Sequence, residues 1–241
     1  MPRAVCILNV AHEGPGLLGD LLVDRGFTVE LVQAWQGAPL PSDLGPADLL
    51  VVMGGPMGVA DIGRPETPWL GPVAALLRAR LALNLPNLGI CLGCQLIAHA
   101  AGAVVAPMRD AAGRRVREVG WGGLEVFPAA DASVRGLPDK MDVLHWHGDA
   151  CALPVGATLL ASTRACPVQM FRLGRSLGLQ FHPEVDAATA MLWASEDADF
   201  VVAANGPDGV AELQAVSAAA AGRTLAARRQ MLAQALDAIL A

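Results

Sequence analysis

The sequence contains no tyrosine, and aromatic residues make up only 4% of its 241 positions. Proteins that bind single-stranded nucleic acids stack bases on such side chains, so this mode of binding is not expected. Charged residues are also scarce, at 17%; the only lysine is Lys140, and the formal net charge is −6. Because no basic stripe is available for phosphates or anionic headgroups, we expect neither nucleic acid nor a membrane surface as a partner.

The sequence pattern also offers no targeting or membrane-spanning segment. The apolar start, residues 1–10, is followed at once by His12 and Glu13, which favours a buried strand over a signal peptide. The longest stretch without Asp, Glu, Lys or Arg, residues 81–108, is interrupted by Asn, Pro, Gln and His. Five scattered cysteines without a secretory signal predict a reducing, cytoplasmic environment.

Short apolar strands alternate with helices in the first hundred residues. The predicted strands are 4–10, 28–33, 49–53 and 88–90, and the predicted helices are 16–25, 69–83 and 92–101. This alternation is typical of an open, mostly parallel twisted sheet with helices on both faces. Residues 117–181 contain short strand-like segments and predict an antiparallel extension of that sheet. We expect one domain over residues 1–241, with a helical C-terminal extension from about 187 to 241.

A cysteine stands at the point where a predicted strand turns into a helix, in the segment Gly-Ile-Cys-Leu-Gly-Cys-Gln at 89–95. Such a turn is a nucleophile elbow, here with Cys91 in the place of a serine. Its tight backbone leaves no room for bulky side chains two positions before and after, where Gly89 and Gly93 stand. The N-terminus of the following helix stabilises a thiolate. The pattern predicts a nucleophile, and a buried structural cysteine is the alternative.

A nucleophilic thiol requires a base, and the base requires a group that orients it. His182 follows an apolar segment, and Glu184 stands two residues further on. At this spacing the carboxylate can accept a hydrogen bond from the far imidazole nitrogen and fix the tautomer. A surface His-Pro-Glu turn is the alternative, but the presence of the Cys91 elbow in the same chain favours a catalytic pair.

Together, the Gly-x-Cys-x-Gly-x-Gln pattern at 89–95 and the His-Pro-Glu pattern at 182–184 resemble the class I, triad-type glutamine amidotransferases. Three further segments fit the resemblance: a glycine-rich loop at 53–58, a His-Gly-Asp segment at 147–149, and a stretch at 161–167 that is similar to the glutaminase domain of GMP synthases. The resemblance covers roughly residues 48 to 186. It implies a flavodoxin-like open sheet, which agrees with the alternation of strands and helices.

The resemblance implies a covalent mechanism. Cys91 attacks the γ-carbonyl carbon of glutamine or of another γ-glutamyl amide, and the backbone N–H groups of Gly55 and Leu92 hold the oxyanion. His182 protonates the departing amine, leaves a γ-glutamyl thioester, and then activates water to release glutamate. Glu184 orients His182.

The resemblance also implies that Gln95 and the backbone around Trp146, Gly148 and Asp149 recognise the amino-acid head of the substrate, with no cofactor. Only 57 residues follow Glu184, and they carry no glycine-rich nucleotide loop. We therefore expect either a glutaminase that docks on a separate synthetase or a chain that works alone as a hydrolase. The pattern favours the free-standing members related to the glutaminase domain of GMP synthase.

Three alternatives remain open. His145 and His147 share one face of a predicted strand, but no further His or Cys ligand pattern accompanies them, so we expect no metal. Cys91 and Cys94 form a C-x-x-C pair of the kind found in thiol oxidoreductases, although the elbow glycines have no redox purpose. A catalytically silent binding module is the third alternative, and the complete triad argues against it.

Overall fold

A computed structural model describes residues 2–241 of the chain. Its β-strands are β1 Arg3–Leu8, β2 Thr28–Gln33, β3 Leu49–Val52, β4 Asn87–Ile90, β5 Val105–Pro107, β6 Glu118–Val126, β7 Lys140–His147, β8 Asp149–Cys151, β9 Thr158–Ser162, β10 Met170–Leu173 and β11 Ser176–Leu179. Its α-helices are α1 Gly16–Asp24, α2 Leu70–Ala82, α3 Leu92–Ala100, α4 Ala187–Glu196, α5 Ala198–Asn205 and α6 Gly209–Leu240. The strands and helices predicted in the first hundred residues are present, and their bounds differ from the predicted ones by at most two residues.

The strands form a nine-stranded sheet in the order β2-β1-β3-β4-β11-β10-β9-β6-β7, and β5 pairs with β8 in a small second sheet. The first five of these strands are parallel, in the order typical of flavodoxin-like folds. The remaining four continue the sheet with antiparallel pairing. The predicted parallel sheet with an antiparallel extension is therefore confirmed.

Helices cover both faces of the parallel strands, because alternate side chains of a strand point to opposite faces. In β1, Ala4 and Cys6 pack in the cluster that includes residues of α1 and α6. Val5 and Ile7 of the same strand pack with residues of α2 and α3 on the other face. This two-sided burial explains why the strand reads as a continuous apolar run rather than an alternating one.

The C-terminal segment is helical, as predicted, and packs against the sheet. Helix α6 has 32 residues and is therefore about 48 Å long. Its last turns lie on the α1 face of the sheet, where Met231 and Leu236 are fully buried. Near its start, Leu213 joins α4 and α5 in a cluster under Leu144 and Trp146 of β7. Within residues 2–241, no helix is long and apolar enough to cross a membrane.

The sheet brings four chain segments to one edge. The carboxyl ends of β3, β4 and β11 point the same way because these strands are parallel. An isolated bridge between Leu144 and His182 places β7 beside the segment that follows β11. Ligands of open α/β sheets bind at this edge.

Candidate active site

The elbow around Cys91 has the strained backbone that the sequence predicts. Cys91 lies between β4 and α3 with a φ of 52° and a ψ of −105°. A Cβ atom at Gly93 would collide with the carbonyl oxygen of Val52, and one at Gly89 would collide with the backbone of Gly93. Both glycines are therefore required, and together they hold the thiol at the edge of the sheet, where it is 7% exposed.

His182 and Glu184 lie together behind the thiol. The His182 amide donates to the carbonyl oxygen of Leu144 at 2.8 Å, and the imidazole Nδ1 lies 2.8 Å from Glu184 Oε1. Both side chains are almost completely buried. Burial opposes the charged imidazole, but the carboxylate of Glu184 and hydrogen bonds with Cys91 and Glu184 hold the pKa of His182 well above its ordinary value.

A pocket of about 360 Å³ opens above these groups. Eight of the nine predicted site residues line it, namely Gly55, Cys91, Leu92, Gln95, Trp146, Gly148, Asp149 and His182. Glu184 lies behind His182 rather than in the pocket wall, as expected of an orienting group. Residues from widely separated segments are thus brought into one concave site.

The glycine-rich loop after β3 is held by a residue that the sequence analysis missed. Asn9 Nδ2 donates to the carbonyl oxygens of Met53 at 2.8 Å and Gly54 at 3.1 Å. Trp69 Nε1 donates to Asn9 Oδ1 at 3.0 Å and fixes the orientation of the amide. These bonds position Gly55 in the pocket wall. Asn9 could have been identified from the sequence, because it is a polar side chain at the carboxyl end of an apolar strand, on the edge of the predicted sheet where ligands bind.

A second polar chain surrounds the thiol. Gln95 Nε2 lies 3.3 Å from the carbonyl oxygen of Asp149 and 3.2 Å from Gln180 Oε1. Gln180 Nε2 in turn lies 3.7 Å from Cys91 Sγ. The same sulfur lies 3.6 Å from the carbonyl oxygen of Trp146. Of the predicted substrate residues, Gln95 therefore contacts Asp149, and Trp146 contacts the Cys91 thiol.

One wall of the site comes from the C-terminal helices. Trp146 Nε1 donates to Asp197 Oδ2 at 3.0 Å. Trp193 of α4 packs edge-on against the His182 imidazole, with ring centroids 4.8 Å apart. Neither Trp193 nor Asp197 belongs to a recognisable motif, so neither could be placed at the site from sequence alone.

Arg228 of α6 holds the segment that carries His182 and Glu184. Its guanidinium donates to the carbonyl oxygens of Pro183 and Val185, both at 2.8 Å. Arg228 is 1% exposed, and burial lowers the pKa of its guanidinium against the opposing charge of Glu184. The helical tail therefore supports the site directly.

Glu13 adds a carboxylate that lines the pocket. Burial raises the pKa of Glu13 to about 7; His182 opposes this rise, and the negative charges of Glu184 and Asp197 add to it. On the other side of the pocket, the carboxylate of Asp149 pairs with Arg115 at 3.2 Å. The pocket thus offers charged groups of both signs.

The thiols of Cys91 and Cys94 do not form the pair that the C-x-x-C alternative requires. All five cysteines are free and buried. Cys94 is fully buried outside the pocket lining, with Cys151 of β8 as a neighbour. Burial raises the pKa of the Cys94 thiol well above its ordinary value, which makes this thiol a poor nucleophile.

In the part of the chain that the structure describes, one group of side chains has potential metal ligands close together. Glu118, His145 and His147 each offer one ligand atom, and these atoms lie within 4.8 Å of one another. The sequence pattern showed the two histidines with an acid nearby, but not Glu118, because the β6–β7 register that sets Glu118 opposite His147 is not visible in the sequence.

Comparisons with known proteins place the chain in a protein family. The family model for class I glutamine amidotransferases matches residues 17–191. The putative glutamine amidotransferase-like protein YfeJ of Salmonella typhimurium is 29% identical over 201 residues, which are 80% of this chain and 81% of that protein. The glutamine-hydrolyzing GMP synthase of Thermomicrobium roseum is 38% identical over 185 residues, 76% of this chain. The match spans only 32% of the length of that synthase.

The fold comparison covers nearly the whole chain. The crystal structure of a glutamine amidotransferase from Thermotoga maritima superposes with a TM-score of 0.84 at 27% sequence identity. The match covers 99% of this chain and 98% of the other.

Proposed function

Because this chain belongs to the class I glutamine amidotransferase family, we propose that it hydrolyses the γ-amide of glutamine or of a related γ-glutamyl compound through Cys91, His182 and Glu184. The observation that carries this proposal is that Cys91 and His182 line the same pocket, while the buried carboxylate of Glu184 lies 2.8 Å from Nδ1 of His182. A nucleophile, a base and an orienting carboxylate in this order are the elements that covalent acyl transfer requires.

In the first half-reaction, the Cys91 thiolate attacks the γ-carbonyl carbon and forms a C–S bond. The carbonyl electron pair moves to the oxygen, where we assign the N–H groups of Gly55 and Leu92 as donors. Leu92 is the first residue of α3, so its N–H has no partner within the helix and is free to bind an anion. Protonated His182 then gives its proton to the departing amine as the C–N bond breaks, which leaves a γ-glutamyl thioester.

In the second half-reaction, neutral His182 takes a proton from water as the water oxygen attacks the thioester. The second tetrahedral intermediate collapses, the C–S bond breaks, and glutamate leaves. Glu184 stabilises the imidazolium at both stages because its carboxylate lies 2.8 Å from Nδ1. Neither step changes an oxidation state.

We assign recognition of the substrate's amino-acid head to Gln95 and to the segment of Trp146, Gly148 and Asp149. These residues line the pocket together with Cys91. The Gln95 side chain is fixed by Asp149 and Gln180, so this side of the pocket is ordered before substrate binds. We also propose that residues 1–241 act as one domain, since α6 contacts the segment that carries the base.

We further propose that the chain is active without a partner. Two observations support this proposal: the elbow already has its strained conformation, and Asn9 already holds the glycine-rich loop. YfeJ, at 81% coverage, is of similar length to this chain. The competing function is delivery of ammonia to a separate synthetase, and the GMP synthase match favours it because that relative extends well beyond the matched region.

The test is a steady-state assay of glutamate release by the purified chain, with glutamine and a panel of γ-glutamyl amides. We expect measurable turnover by the chain alone and a loss of at least about 10³-fold in Cys91→Ala and in His182→Ala, because triad members act as a unit. Cys94→Ala is the matched control and keeps its activity. Full activity in Cys91→Ala would refute the assigned nucleophile, whereas negligible activity that one added protein fraction restores would establish the subunit function.

A further inference from the structure

Strands β6 and β7 bring together three side chains that the proposed mechanism does not use. Their antiparallel register sets Glu118 directly opposite His147. His145 lies two residues before His147 and therefore on the same face of the strand. One ligand atom from each of the three side chains lies within 4.8 Å of the other two.

The orientation of His147 leaves a lone pair facing a carboxylate. Its Nδ1 lies 3.1 Å from the carbonyl oxygen of Asp149, which can only accept, so Nδ1 carries the proton and donates. Its Nε2 lies 3.2 Å from Glu118 Oε2. In the neutral imidazole, two electron-rich atoms would then face each other, and a proton or a metal cation between them removes the repulsion. An imidazole held by a carbonyl in this way is the usual arrangement of a metal-binding histidine.

His145 supplies the second, independent observation. The residue is 4% exposed, and neither ring nitrogen has a hydrogen-bond partner within residues 2–241. A buried polar atom without a partner costs about 1–3 kcal/mol, so such atoms call for an explanation. A metal ion shared with Glu118 and His147 would satisfy one of the two nitrogens.

Hydrogen bonds from Gln169 are the alternative to a metal ion in this cluster, but they do not satisfy every polar group in it. Its Nε2 lies 2.7 Å from Glu118 Oε2 and 3.3 Å from His147 Nε2, so the amide already satisfies these two groups in part. However, Gln169 leaves His145 without a partner, and its own Oε1 is buried without one. Rotation of the amide by 180° exchanges its nitrogen and oxygen and turns an acceptor oxygen toward Glu118 and His147.

We propose that Glu118, His145 and His147 form a binding site for one divalent transition-metal ion of the zinc class. Two imidazoles and one carboxylate are a ligand set that zinc uses, whereas magnesium and calcium prefer oxygen ligands throughout. His147 lines the active-site pocket, which gives an ion a route to the cluster. The ion would link β6 to the end of β7, from which Gly148 and Asp149 continue into the pocket wall.

The test uses untagged chain, freed of metal by chelator, in a Cys91→Ala background so that the active-site thiol and His182 cannot bind the ion as a pair. Isothermal titration with Zn²⁺ and elemental analysis measure stoichiometry, and Co²⁺ absorption reports the ligand type. We expect one ion per chain, d–d bands without thiolate-to-metal charge transfer, and a rise in the melting temperature on addition of Zn²⁺. His99→Gln in α3 is the matched control and binds as the parent does.

Two variants each remove a different ligand, so the proposal can still be tested if one of them fails to fold. His145→Gln and Glu118→Gln are each expected to weaken Zn²⁺ binding by more than about tenfold, since even loss of an outer-shell partner costs 10–100-fold. Absence of Zn²⁺ binding by the parent, unchanged affinity in a folded ligand variant, or a thiolate charge-transfer band would each overturn the proposal. Glutamate release by the metal-free chain tests the proposed function separately, because no step of that reaction involves the ion.

Discussion

Glu13 is a carboxylate that we expect to reduce the stability of the fold at neutral and alkaline pH. It lines the pocket beside His182, and burial raises its pKa from the ordinary 4.5 to about 7. The folded chain therefore keeps a proton on Glu13 over a pH range in which the unfolded chain has lost it. Replacement by glutamine removes this titration while preserving the size and the hydrogen-bonding capacity of the side chain.

The expected stabilisation follows from linkage between protonation and folding. The interval from 4.5 to about 7 corresponds to an upper limit of about 3–4 kcal/mol, at about 1.4 kcal/mol for each pH unit. Because Glu13 is only partly buried, we expect about 2 kcal/mol. Below pH 4.5 both states hold the proton, and Glu13→Gln should match the parent. The advantage of the variant should grow between pH 4.5 and 7 and remain constant above pH 7.

Urea unfolding followed by the fluorescence of the five tryptophans, at pH values from 4 to 8, measures this difference. Glu66→Gln, at an exposed glutamate in the loop before α2, controls for the loss of one negative charge. A stability difference between Glu13→Gln and the parent that does not change with pH would refute the reasoning.

Two further predictions concern the supports of the site. Arg228→Gln should lower the free energy of unfolding by about 2–4 kcal/mol, because the buried carbonyl oxygens of Pro183 and Val185 lose their donors. Urea unfolding measures this loss. The control is Arg229→Gln, at the neighbouring exposed position, which should cost less than about 1 kcal/mol. Asn9→Ala should lower kcat for glutamate release by at least about tenfold with a smaller change in KM, because it frees the loop that positions Gly55 for the oxyanion. Asn205→Ala, outside the pocket, is the control for Asn9→Ala, and an equal loss of kcat in both variants would contradict the role of Asn9.

The parts of the site that sequence alone predicts are those whose physical cause is local. The sharp turn at Cys91 requires glycine two positions before and after it, and both requirements can be read within five residues. Glu184 reaches His182 because the two are only two positions apart. The parallel sheet follows in the same way from the alternation of apolar strands and helices.

The supporting contacts could not be predicted, because they depend on how distant segments pack. Asn9 binds carbonyl oxygens more than forty positions away, and Arg228 does the same from the far end of the chain. Glu118 reaches His147 only through the register of β6 and β7, and a shift of one residue would turn it to the other face. The single-domain assignment for residues 1–241 stays a prediction.

The contacts that hold the site in place bear on whether the chain is a free-standing hydrolase or the glutaminase subunit of a synthetase. The thiol is fixed by glycine contacts, the glycine-rich loop by Asn9 and the segment after His182 by Arg228, and all of these contacts lie within this chain. A partner would therefore have little left to assemble at the reacting atoms. Any control by a synthetase would have to act at the pocket mouth, where Arg115 and Asp149 lie, by changing substrate entry or the exit of ammonia. A synthetase that acts in this way would change KM more than kcat, whereas a partner that assembled the triad would change kcat.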